Sequence, residues 1–296
     1  MATTGPIPLG LSTFVLASPF SDADLGLFGK VKNFGYEQVE VCIEDPSRLT
    51  APAVAKAAAE EGLSVLVCGA FGPNRDVSNE DEERRRRGIG YLRRCVEFAA
   101  AVGSPLVSGP MYAPTGQARL LDPPARAAQW GRAAESLAQV AEDARAENVR
   151  LAIEPLNRFE TDLVNTVEQG VRFCADVGAD NVGLLLDTFH MNIEEKSLPA
   201  AITAAGPRVF HFQASENDRG TPGSGHLAWE QVISALREID YLGSIVVESF
   251  LPTVKEIARA VSLWRPVAES MDALAGDSVR FLRPLLRGRP ASGGQS

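Results

Sequence analysis

Short apolar runs rich in Val, Ile and Leu recur along the whole chain, and each is followed by an amphipathic stretch of Ala, Glu and Arg. A strand buried on both faces reads as such a run, and the stretch after it supplies the helix that covers it. The repeat therefore predicts βα units and a parallel sheet. Eight runs read as strands, over residues 8–16, 37–43, 63–69, 105–109, 149–154, 182–187, 208–213 and 244–248. Helical patterns lie between them, and a final long one, VSLWRPVAESMDALAGDSVRFLRPLL, runs over 261–286. Eight such units in 296 residues meet the requirement of a (β/α)8 barrel. An open doubly wound sheet would show GxGxxG after its first strand, and LGLSTF does not match it. No linker or compositional shift divides the chain. The expectation is an α/β protein, a single-domain (β/α)8 TIM barrel over 1–286 with a disordered tail over 287–296.

Composition narrows the partners. Twenty-nine Lys and Arg face 38 Asp and Glu, a net charge of −9 that a phosphate backbone would repel, so nucleic acid is excluded as a partner. There is no uncharged apolar run of about 18 residues to cross a membrane, and the opening MATTGPIPLG lacks a secretory pattern. Cys42, Cys68, Cys95 and Cys174 form no CxxC pair and read as reduced, buried thiols of a cytoplasmic protein. In EDEERRRR, residues 80–83 each precede an arginine by four positions, the favourable spacing for pairs on a solvated helix face. The irregular MYAPTGQARLLDPPAR (111–126) is long enough to cover a site.

Barrel enzymes build their sites at the C-terminal ends of the strands. Strands five to eight end in Glu154, Asp187, Gln213 and Glu248, each roughly one βα unit from the next, so the four side chains should converge on one mouth. Any one of them could be an ordinary ion pair or helix cap. Three carboxylates in a single apolar mouth, however, repel one another unless a cation joins them. An all-oxygen donor set points to a hard or borderline divalent ion: Mn2+ first, with Mg2+ or Co2+ as alternatives. The following loops add Asn157, Arg158 and Glu160, then His190, then Glu216, Arg219 and His226.

IEPLNRFE, LLDTFHMNIEE, SENDRGTPGSGH and VVESF resemble the metal-dependent ketose 3-epimerases of the xylose isomerase-like barrel superfamily. The likeness is densest from Glu154 to Glu248. It implies a small-molecule sugar substrate, a homodimer or homotetramer, and epimerisation at C3 through a metal-stabilised enediolate. Glu154 and Glu248 match the metal glutamates that exchange substrate protons, and Asp187 matches the metal aspartate. Glu160, His190 and Arg219 match groups that hydrogen-bond the sugar. The departure is Gln213, which stands where the family has His, and a neutral amide is a poorer ligand than imidazole for Zn2+ or Co2+. His211, one pleat period deeper, either contacts substrate or packs as a barrel-layer histidine, while His226 is expected to stabilise its own loop.

Other readings are a related barrel isomerase or lyase acting on a keto-inositol or oxidised glycoside, and a metal-free carbohydrate-binding protein whose site decayed when His became Gln. A DNA-repair endonuclease of the same superfamily would need a histidine-rich zinc site, and three histidines on an acidic chain do not supply one.

Overall fold

The structure is a computed structural model, and it describes residues 5–254, 258–259 and 261–287. Eight parallel strands close into a barrel in sequence order. They are β1 (Leu9–Ser12), β2 (Gln38–Ile43), β3 (Ser64–Gly69), β4 (Leu106–Gly109), β5 (Arg150–Ile153), β6 (Val182–Asp187), β7 (Val209–Ala214) and β8 (Ile245–Val247). Every predicted strand is present. The first stops at Ser12, four residues short of its predicted end, because Ser12 accepts the N–H of Phe14 at 3.3 Å and caps a 3-10 turn over Thr13–Val15.

Helices that lie wholly within the described residues are α1 (Phe28–Phe34), α2 (Ala51–Glu60), α3 (Glu82–Val102), α4 (Pro123–Ala146), α5 (Val167–Val177), α6 (Thr188–Glu194), α7 (Leu198–Ala205), α8 (Trp229–Glu238) and α9 (Met271–Leu286). Their starts follow elementary capping rules. Asp122 accepts from the Ala125 N–H with Pro123 and Pro124 in the first turn of α4, and Thr166 with Gln169 forms a capping box on α5. The final helical pattern corrects the sequence reading. Residues 261–270 are turns, and α9 begins afresh after Ser270, whose side chain accepts the Ala273 N–H at 3.0 Å. Pro266 breaks the run in between, since it has no N–H to donate. The expected tail beyond 287 lies outside the described residues.

The charge run is half as paired as its spacing suggests. Glu82–Arg86 and Glu83–Arg87 form at 3.5 and 2.8 Å, whereas Asp81 caps α3 by accepting from the N–H groups of Glu83 and Arg84. A cap satisfies donors that would otherwise lack partners, and an exposed ion pair adds little.

Packing brings the loops of the mouth together. Phe173 of α5 is fully buried, edge-on to Tyr112 at 5.9 Å and Trp130 at 4.8 Å. Truncating such an aromatic costs about 3–5 kcal/mol. The 111–126 segment is tied to the β5–α5 loop by Gly116 N–H to Glu160 O (2.7 Å) and Asp162 N–H to Gln117 O (3.1 Å), and its last four residues belong to α4. Gly109, at φ 124, ends β4 where a Cβ would stand 2.8 Å from the Gly69 carbonyl oxygen. Only glycine fits there, and its carbonyl accepts the Glu154 N–H at 3.1 Å.

Candidate active site

The C-terminal ends of the strands surround a cavity of about 240 Å3. Glu154, Glu160, His190, Arg219 and Glu248 form its polar wall, and Phe14, Cys68, Phe71 and Phe250 part of its apolar one. Thr115 of the 111–126 segment also lines it.

The four strand-end residues fall into two pairs: Glu154 and Asp187 offer donor atoms within 4.8 Å of one another, and Gln213 is hydrogen-bonded to Glu248. Asp187 is fixed twice: one carboxylate oxygen caps α6 by accepting the Phe189 N–H at 2.7 Å, and the other is bound by Arg219. Glu248 accepts from Arg219 Nη1 at 3.0 Å and from Gln213 Nε2 at 3.1 Å. Gln213 Nε2 also donates to Glu40 Oε2 at 2.7 Å. Its Oε1 is buried and accepts no hydrogen bond.

Arg219 is positioned by several forces at once. Its guanidinium lies between the rings of Phe189 (4.3 Å) and Phe250 (5.1 Å), and its carbonyl accepts from Ser249 Oγ. Its φ of 67° is unusual for a residue with a side chain, and strain of this kind gathers at functional sites. Burial opposes its charge, but Asp187 and Glu248 outweigh that and hold it protonated.

His190, on α6, completes the group. Asn157 donates to its Nδ1 from both main chain (3.1 Å) and side chain (2.9 Å), and the same side chain donates to Glu160 Oε1 at 2.8 Å. A neutral ring can accept at only one of its nitrogens, and the other nitrogen here is Nε2. That nitrogen faces Glu154 Oε1 at 3.4 Å and Arg219 Nη2 at 2.8 Å. Asn157 and Arg219, both donors, thus compete for the single lone pair of a neutral ring. Burial, and after it the Arg219 charge, lowers the His190 pKa to about 4.

A ring of this kind is neutral when folded and protonated at mild acidity when unfolded. In chelator-treated protein its contribution to stability is expected to be complete above the ordinary histidine pKa and to be lost as pH falls from about 6.5 toward about 4. Two-bond 1H–15N correlation spectra should show a neutral ring at pH 6. A doubly protonated ring at that pH would contradict the arrangement.

Burial raises the carboxyl pKa values of Glu154 and Glu248 well above the usual range. The Asp187 charge adds to the rise, and Arg219 opposes it. Three carboxylates against one guanidinium leave the mouth short of positive charge. Glu154, Asp187 and His190 offer donor atoms within 4.8 Å of one another, and Gln213, hydrogen-bonded to Glu248, keeps a buried carbonyl oxygen without a partner. The donor set fits a divalent cation.

The remaining sequence candidates fall elsewhere. His211 Nε2 sits 2.6 Å from Glu40 Oε1, beneath the mouth and away from the cavity wall. Glu216 shapes its own loop, accepting from the N–H groups of Gly223, Leu227 and Trp229. His226 meets Asn192 at 3.2 Å on the surface, and Arg158 pairs with Glu194. α6 stands where the sequence reads as a loop. Its signal was Asp187 itself, a good N-cap directly before it. Sequence reasoning also passed over Glu40, fully buried inside β2 and bonded to Ser108, His211 and Gln213. A charge within an apolar strand was the sign of a buried network.

Residues 28–285 match the family described as xylose isomerase-like TIM barrel. A "Probable ketose 3-epimerase" of Synechocystis sp. is 34% identical over 96% of this chain and 98% of its own. A D-psicose 3-epimerase of Agrobacterium fabrum is 34% identical over 88% of this chain and 92% of its own. Among solved structures, an L-ribulose 3-epimerase superposes with a TM-score of 0.88 at 31% identity, covering 95% of this chain and 94% of that one.

Proposed function

The chain belongs to the xylose isomerase-like TIM barrel family and, within it, to the ketose 3-epimerases, and from that premise we propose how its own residues invert C3 of a free ketose. Glu154, Asp187, Gln213 and Glu248 would hold a divalent cation, Mn2+ first. When bound, that ion supplies positive charge beside the ketose carbonyl and makes the neighbouring C–H easier to deprotonate.

The protein's task is to take the proton from one face of C3 and return one to the other. Glu154 and Glu248 rise from separate strands at the mouth, and burial lifts both carboxyls toward the range where a carboxylate takes a proton and a carboxylic acid gives one. The ionised partner is the base and the protonated one the acid, and the roles exchange when the reaction reverses. Arg219 and His190 donate to sugar oxygens, Glu160 accepts from a hydroxyl, and Phe14, Phe71 and Phe250 exclude water.

The observation that carries this reading is the burial of three carboxylates around a single guanidinium: Glu154 and Glu248 line the cavity, and Asp187 behind them pairs with Arg219, which also pairs with Glu248. A decayed, metal-free binding site would have no use for the spare oxygen of Gln213. The reading includes a homodimer or homotetramer in the cytoplasm, and four buried free thiols accord with a reducing compartment.

Incubation of D-psicose, D-tagatose and L-ribulose with Mn2+-loaded enzyme in D2O should place deuterium at C3 of the turned-over ketose. Epimerisation without label would refute proton exchange with the two glutamates.

A further inference from the structure

β2 and β3 carry a second cluster of different chemistry inside the barrel, in contact with β7 through Glu40. β2 and β3 run in register with Cys42 beside Cys68, and Glu40 precedes Cys42 by one pleat period on the same inward face. Both sulfurs and a Glu40 carboxylate oxygen lie within 4.8 Å of one another, and all three residues are buried. Neither thiol has a strong partner. Cys42 Sγ is 3.3 Å from Ser12 Oγ, and Cys68 Sγ reaches the Gly69 carbonyl only at 3.6 Å. Cys68 also lines the cavity of the mouth, which gives an ion a route to the pair.

We propose that Cys42, Cys68 and Glu40 form a second cation site, thiophilic where the mouth is oxygen-rich, which takes an ion such as Zn2+ and inhibits the enzyme when filled. Two thiolates and a carboxylate are a zinc donor set, whereas Mn2+ and Mg2+ prefer oxygen alone. As the ion binds, two S–H bonds break, two metal–sulfur bonds form, and both protons leave to solvent. Burial raises the Cys42 thiol pKa, and the contact with Cys42 followed by burial raises that of Cys68, so without the ion the pair stays neutral and draws no hard cation from the mouth.

Inhibition runs through Glu40. Its two oxygens hold His211 at 2.6 Å and Gln213 Nε2 at 2.7 Å. When Oε2 turns to zinc, the Gln213 amide loses one of the two bonds that orient it and keeps only the one to Glu248. The inhibitory effect rests on the proposed function, while ion binding does not.

The test titrates Cd2+ into fully reduced, Mn2+-loaded protein and follows the ultraviolet cadmium–thiolate charge-transfer band. The band should saturate at a single equivalent, vanish in Cys42→Ser, Cys42→Ala and Cys68→Ser, and persist in Cys174→Ser. In parallel, the Zn2+ concentration that halves epimerisation should rise about tenfold or more in Cys42→Ser, a loss of about 1.4 kcal/mol in zinc binding. An absent band in the wild type, or one that survives both Cys42 variants, overturns the site. Zinc inhibition unchanged in a folded Cys42→Ser protein overturns the inhibitory role. Deuterium exchange without the band retains the epimerase and ends this proposal, and the band without exchange does the reverse.

Discussion

Glu154→Gln and Glu248→Gln are each expected to lower kcat for epimerisation by roughly 10²–10⁴-fold, the usual contribution of a placed general acid or base. Each variant removes the base for one epimer and the acid for the other, so exchange and inversion should separate. One variant should still wash deuterium into C3 of the first epimer, the other into C3 of the second, and neither should interconvert them. The amide preserves size and an oxygen donor, and Gln213 Nε2, which donates to Glu248, can donate equally to an amide oxygen. Single-turnover exchange followed by proton NMR on each pure epimer checks this. Either variant keeping more than about a tenth of the wild-type rate would remove its glutamate from the proton path.

Gln213→His should re-tune the cation. Imidazole favours Zn2+ and Co2+ over a neutral amide, and its second nitrogen can donate to Glu40, which now accepts from Gln213 Nε2. Affinity for Co2+ is expected to rise by about tenfold or more, near 1.4 kcal/mol, with Mg2+ affinity little changed. Competition against a chromophoric chelator measures both. An unchanged Co2+ to Mg2+ ratio would place residue 213 outside the ion's coordination sphere.

The barrel was legible because strands covered on both faces leave continuous apolar runs, and strand ends are where a βα fold must put its chemistry. Glu154, Asp187, Gln213 and Glu248 could be found that way. Glu40 could not, since it sits within a strand and its partners on β7 become neighbours only across the closed interior. The Cys42–Cys68 pairing was hidden for a similar reason, because register between β2 and β3 is a property of the sheet and not of either segment. α6 lies in a segment that reads as a loop because seven residues hold too few turns to show a period. The final helix was read too long because an apolar rhythm continued across Pro266 after the backbone had already turned.

Asp187 performs two tasks with two oxygens: one starts the helix that bears His190, and the other faces Arg219. Substitution there is therefore expected to cost more than substitution at Gln213. Asparagine could still begin the helix yet would bring no charge to the mouth, and glutamate would bring the charge from too long an arm to begin the helix. A residue with two employers can be dismissed by neither.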